Sequence, residues 1–86
     1  MKIQGAVVEE QGLTFSIVLV KPTAMHTSTS ADKSRSAFQH LFPGMPLILA
    51  CQDSKRNFKY QGRKDIVAFL AKIHPSQIPW REYTVS

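Results

Sequence analysis

The first twenty residues show the alternation of a β-hairpin. Residues 3–8 are rich in strand-forming side chains, and residues 9–12 form a polar turn that closes on a glycine. The second strand, residues 13–20, then places every other side chain on one face of the pleat. That face carries Leu13, Phe15, Ile17 and Leu19. The opposite face becomes apolar at Val18 and Val20, which predicts a central strand that is buried on both sides at its far end.

A helical period follows, and it predicts a helix over residues 31–42. Thr29 and Asp32 have the spacing of a capping box, in which a hydroxyl and a carboxylate satisfy free N–H groups at a helix start. One face of this helix is apolar. It carries Ala37, Phe38, Leu41 and Phe42. Residues 43–44, a Pro-Gly pair, end the helix.

The second half of the chain repeats the order of two strands and a helix. Residues 46–51 are apolar throughout and predict an inner strand, residues 52–57 form a polar turn, and residues 58–61 alternate as the return strand. A second helix follows after Gly62. Its apolar positions are Ile66, Val67, Phe69, Leu70 and Ile73. Residues 80–85 fit either a short final strand or an ordered tail.

This order of elements predicts the fold class. Strand-strand-helix-strand-strand-helix within 86 residues indicates a single α+β domain over residues 1–86, a two-layer sandwich with a mixed sheet and both helices on one face. The other sheet face would then need a cover, which a homodimer would supply.

Composition narrows the class of protein. The chain is 43% hydrophobic and 20% charged, which is globular and excludes wholesale disorder, collagen and a coiled-coil rod. With proline not counted, its apolar runs reach at most five residues, against the roughly 20 that cross a bilayer, so we expect no membrane partner. The first residues lack a signal-peptide pattern, and Cys51 has no second cysteine for a disulfide. We therefore expect a cytoplasmic protein.

Residues 44–73 carry a partial resemblance to a known family. The Gly44-Met45-Pro46 start, the apolar strand, the hairpin, Gly62 and the helix ending in Phe69-Leu70 resemble the second half of a thioredoxin-like domain. The resemblance implies a cis peptide bond before Pro46. The redox chemistry of that family depends on a Cys-x-x-Cys motif after a strand, and the corresponding loop here, residues 23–30, has no cysteine. We therefore expect no oxidoreductase activity.

The formal net charge of +5 accompanies a basic second hairpin. Its cations are Lys55, Arg56, Lys59, Arg63 and Lys64. Three interpretations stay open: binding of nucleic acid or another polyanion, a solvated turn, and an acidic protein partner. Phe58 and Tyr60 would be stacking platforms for bases. However, they alternate with Lys59 and face the core if Lys59 faces solvent.

The loop before the first helix is a second candidate site, for a small anion or phosphate. The side chains involved are Thr27, Ser28, Thr29, Ser30 and Arg35. A helix start offers free N–H groups and partial positive charge, and ligands often bind where inner strands end. The alternative is that these hydroxyls only cap the helix. Without a glycine-rich loop, a nucleoside triphosphate site is not expected.

Catalytic and metal-binding patterns are not found in the sequence. His26, His40 and His74 are isolated, and no nucleophile motif or paired carboxylates accompany them. We therefore expect no cofactor, no metal and no enzymatic activity, and interpret the chain as a binding or protein-interaction module whose partner is a protein, a second copy of itself or nucleic acid. Near the end of the chain, Trp80, Arg81 and Tyr83 would contact a protein partner, unless Trp80 seals the core.

Overall fold

A computed structural model describes residues 1–85, which form one five-stranded sheet and two α-helices. Short 3-10 turns lie between them, at Pro22–Met25, Gln39–Leu41 and Pro75–Gln77. The main elements in chain order are β1 (Lys2–Glu10), β2 (Leu13–Leu19), α1 (Ser28–Phe38), β3 (Leu47–Gln52), β4 (Phe58–Gln61), α2 (Lys64–Leu70) and β5 (Arg81–Thr84).

The sheet is mixed, with the strand order β4-β3-β2-β1-β5. β2 and β3 are parallel, with Ile17 opposite Ile48, and the other neighbouring strands are antiparallel. The predicted α+β class and the order of the first six elements are confirmed. Of the two alternatives for residues 80–85, the strand is found: β5 pairs with β1, with Tyr83 opposite Ile3.

β2 is the central strand, as its pattern predicts. Ile17 and Val18 are consecutive and therefore point to opposite faces, yet neither is accessible to solvent. Ser16, the one buried polar side chain among the described residues, donates its hydroxyl to the Pro46 carbonyl at 3.1 Å. Burial on both faces means that each face of the sheet needs its own apolar cover.

The two helices supply these covers on opposite sides, which differs from the expected placement on one face. Ile66 and Leu70 of α2 pack with Ile17 and its neighbours, together with Ile78 from the segment before β5. Phe38 of α1 packs instead with Val18 on the other side. The face for which we expected a homodimer is thus covered, over its centre, by a helix of the same chain.

The start of α1 lies three residues earlier than predicted. Thr27 is the N-cap: its Oγ1 accepts from the Ser30 N–H at 3.1 Å, and Ser30 Oγ accepts from the Thr27 N–H at 3.0 Å. The predicted capping pair of Thr29 and Asp32 is wrong, because both residues lie within the helix. The helix also ends earlier, at Phe38, and a 3-10 turn carries the chain on to the buried Phe42.

Two backbone features concern the segment of residues 44–62. The peptide bond before Pro46 is trans, so the cis bond implied by the thioredoxin-like resemblance is not found. Gly62 follows β4 with φ +155°, and a Cβ there would lie 2.6 Å from Ile48 Cδ1. Because Ile48 is fully buried at the centre of the core, its side chain has little room to move aside.

We predict that Gly62→Ala destabilises the protein more than a glycine replacement without a clash. Gly44 is the matched control, because it also has positive φ, +76°, but no atom lies within 4 Å of its added Cβ. Gly44→Ala is expected to cost about 1–2 kcal/mol of unfolding free energy from backbone strain alone. Gly62→Ala should cost at least about 1 kcal/mol more, from overpacking against Ile48 and from a φ of +155°, which is more restricted to glycine than that of Gly44. Urea unfolding measures both, and equal costs would contradict the clash.

Candidate functional site

The tip of the basic hairpin is a turn organised by one carboxylate. Asp53 Oδ1 accepts from the backbone N–H groups of Lys55 and Asn57, both at 2.9 Å. Arg56 adopts a positive φ of 65°, which completes the reversal between β3 and β4. The carboxylate of Asp53 is thereby directed to the backbone, while the side chains of Lys55 and Arg56 are exposed.

The aromatic side chains of β4 face the core, as the alternation predicts. Phe58 and Tyr60 pack against the cluster under α2, with ring centroids 6.2 Å apart. Phe58 also lies 6.0 Å from the ring of Trp80. Lys59, on the opposite face, is exposed. The hairpin therefore presents positive charge to solvent without an exposed aromatic platform for a base.

The formal charge surplus of the chain is confined to this hairpin. Residues 55–64 contain five Lys and Arg and no acid, while the other six Lys and Arg are matched by six Asp and Glu. Arg63 pairs with Asp65 at 2.9 Å. Among the residues that the structure describes, the other four cations make no ion pair. These are Lys55, Arg56, Lys59 and Lys64.

The fold places residues 27–30 of the second predicted site together at the start of α1 and directs Arg35 away from them. The hydroxyls of Thr27 and Ser30 are engaged in the cap of α1. Arg35 lies about 10 Å further along the helix axis and reaches toward the strands. Its Nε donates to the Leu47 carbonyl at 3.1 Å, and its Nη2 donates to the carbonyl and side-chain oxygens of Gln61. With its ion pair to Asp32 at 3.2 Å, Arg35 ties α1 to β3 and β4.

The predicted protein-contact residues belong to two different packing clusters. Trp80 is half-buried on the α2 side, and its Nε1 donates to the Pro75 carbonyl at 3.1 Å. Tyr83 packs on the α1 side, edge to face with Phe42 at 5.1 Å. Arg81 is exposed between them. This geometry favours the interpretation in which Trp80 covers the core, and it disfavours one contact surface shared by the three residues.

Two of the clefts among residues 1–85 have no counterpart in the sequence pattern. One, of about 530 Å³, lies between the β1–β2 turn and α2, and its rim has both signs of charge, from Glu10, Arg63, Asp65 and Lys72. The other, of about 470 Å³, lies between α1 and the strands β1 and β2. No local sequence signal identifies either one, because each is built from segments that are distant in the chain.

The comparisons add no functional information. A scan of protein-family models, a search of curated proteins and a search of solved structures find no match to this chain. Within residues 1–85, no helix has the length and apolar character to cross a membrane. The same residues contain no group of three or more His, Cys, Asp or Glu side chains placed to hold a metal ion.

We predict that Arg35 contributes to stability and not to anion binding. Arg35→Lys keeps the charge but loses the planar set of donors that reaches Leu47 and Gln61, so we expect a loss of about 1–3 kcal/mol in unfolding free energy. Urea unfolding measures this loss. In the wild type, titration with inorganic phosphate should leave the amide chemical shifts at the start of α1 unchanged. Saturable shifts at Ser28 to Ser30 that disappear in Arg35→Lys would contradict this assignment.

We predict that Tyr60→Phe is neutral or stabilising. The hydroxyl of Tyr60 is buried without a hydrogen-bond partner among residues 1–85, and burial raises its pKa above the ordinary value of 10.0. Removing an unpartnered polar group should raise the unfolding free energy by up to about 1 kcal/mol at pH 7. Because the folded state disfavours the ionised side chain, the unfolding free energy of the wild type has its full value below about pH 10. It decreases as the pH rises through the raised pKa.

Urea unfolding at pH 7 and at about pH 10.5 tests this prediction, since only the unfolded tyrosine ionises freely at the higher pH. The advantage of Tyr60→Phe over the wild type should grow between the two. A variant that is less stable than wild type at pH 7 would show that the hydroxyl has a favourable partner.

Proposed function

We propose that this chain is a small, non-enzymatic binding module that holds a nucleic acid backbone on the hairpin β3–β4. The observation that carries the proposal is the placement of charge: the surplus of +5 lies within residues 55–64, and four of its five cations are free of ion pairs in the described part of the chain. Cations that are not paired internally are available to displace counterions from phosphates.

The spread of these cations favours an extended anion over a small one. Lys55 and Arg56 lie at the turn, Lys59 lies in the middle of β4, and Arg63 and Lys64 follow its other end. The two ends are separated by on the order of 20 Å, from the rise of an extended chain. A single phosphate would meet only one end, whereas a nucleic acid backbone presents charges along the whole edge of the sheet.

The inward rings of Phe58 and Tyr60 support contact with the backbone alone. Single-strand binding proteins gain affinity by stacking bases on exposed aromatic rings, and these two rings are partly buried against the core. We therefore propose that binding is independent of sequence and is directed to phosphates, with a duplex as good a ligand as a single strand. The lone buried Cys51 fits a cytoplasmic setting.

We predict strongly salt-dependent binding of a fluorescein-labelled DNA duplex of arbitrary sequence. Four free cations correspond to a slope of about −3 to −4 in log K against log salt, or roughly a hundredfold loss between about 50 and about 200 mM. Fluorescence anisotropy measures this loss. The double variant Arg56→Glu/Lys59→Glu should abolish binding at the lower salt concentration.

The matched control is Lys33→Glu/Lys72→Glu, which changes the net charge equally at exposed positions outside the hairpin. It should retain binding within a few-fold. Equal loss in both double variants would show that only the overall charge matters. If polyglutamate binds and the duplex does not, the partner is an acidic protein and not a nucleic acid. If neither binds, the proposal is overturned.

A further inference from the structure

We infer that a second surface, separate from the hairpin, binds the apolar face of an acidic amphipathic helix from a partner protein. This surface is the cleft of about 470 Å³ between α1, the start of β1 and the end of β2, here called the α1 groove. Its lining includes Ile3, Val20, Lys21, Lys33, Ala37 and Phe38.

The floor of the α1 groove is apolar and partly open to solvent. Ile3 is buried below it, while Val20 and Phe38 are half-buried and continue into the cluster on this side of the sheet. Ala37 is small and exposed, so α1 leaves a depression where a larger side chain would fill the space. Met1 borders the groove and is 73% exposed, one of two large hydrophobic side chains exposed in the described residues.

The charges around the α1 groove are of one sign. Lys21 lies on the strand side and Lys33 on the helix side, and both are exposed. Neither makes an ion pair within residues 1–85, and no Asp or Glu of these residues lines the groove. This arrangement is complementary to a ligand with an apolar centre and carboxylates on both flanks, and it disfavours a basic ligand.

The shape of the α1 groove selects among such ligands. Small-molecule sites enclose most of their ligand, whereas this groove is more open to solvent than enclosed and leaves one side of a ligand exposed. An amphipathic helix presents apolar side chains at i, i+3, i+4 and i+7, which form a narrow ridge suited to an open groove. Its flanking Asp and Glu side chains would then reach Lys21 and Lys33. The exposed methionine adds an adaptable contact.

The test begins with a displayed library of random peptides of about 16 residues, roughly four helical turns. It is selected on the intact chain at about 150 mM salt. We expect the enriched peptides to combine helical apolar spacing with Asp and Glu. In fluorescence anisotropy, Lys21→Glu/Lys33→Glu and Ala37→Glu should each weaken their binding at least about tenfold. Amide shifts should map to α1 and the end of β2.

The control is Lys72→Glu/Arg81→Glu, with the same change of net charge at exposed positions outside the groove. It should change the affinity for the selected peptides by no more than about twofold. The hairpin variant Arg56→Glu/Lys59→Glu should have the same small effect, and this result separates the inference from the nucleic acid proposal. An absence of enriched peptides, or peptides without carboxylates, would overturn the inference.

Two other occupants of the α1 groove would also overturn it. Oleate or anionic phospholipid vesicles that shift the groove amides, while the peptides do not, would make it a lipid site. A dimer in sedimentation equilibrium that Lys21→Glu/Lys33→Glu dissociates would make the occupant a second copy of this chain.

Discussion

Both faces of β2 are buried, and this requirement determines where the two helices and the neighbouring strands are placed. Ile17 and Val18 point to opposite sides, and neither is accessible to solvent. Because β2 and β3 are parallel, the chain must cross from one end of the sheet to the other between them. That crossing contains α1, which covers the Val18 side. This one segment thus allows the parallel pairing and also covers the Val18 face. The Ile17 face is covered by α2.

The sequence predicts the elements better than it predicts their arrangement. Alternation identifies the hairpin and the central strand, because one buried face per strand leaves a period of two. It cannot assign α1 to a face, since β2 is apolar on both. The start of α1 is equally ambiguous, because residues 27–30 are all good N-cap residues. In the structure, Thr27 is the N-cap and forms reciprocal hydrogen bonds with Ser30. The pattern of residues 80–85 does not distinguish a strand from a tail, because the pairing of β5 with β1 is between segments far apart in the chain.

The same distinction between local and distant information separates the two proposed surfaces. The hairpin cations are neighbours in sequence, so their clustering is visible before folding, and the inward direction of Phe58 and Tyr60 follows from alternation. The α1 groove is different, because Lys21 and Lys33 look like ordinary solvated lysines until the crossover places them on either side of Val20 and Ala37. For Arg35, local information is misleading. Its neighbours in the sequence indicate an anion ligand, whereas the fold directs its guanidinium to carbonyls of β3 and β4.

The pairing of β5 with β1 has a consequence for colloidal behaviour. β1 is nine residues long, and β5 covers only its first part, with Gly5 opposite Arg81 as the last pair. Without β5, β1 would be a long open edge, which is a template for pairing between molecules. The remainder of that edge ends in Glu9 and Glu10, whose like charges would oppose such pairing. The four-residue strand β5 therefore prevents edge-to-edge pairing over the first part of β1, and the two glutamates oppose it at the uncovered end.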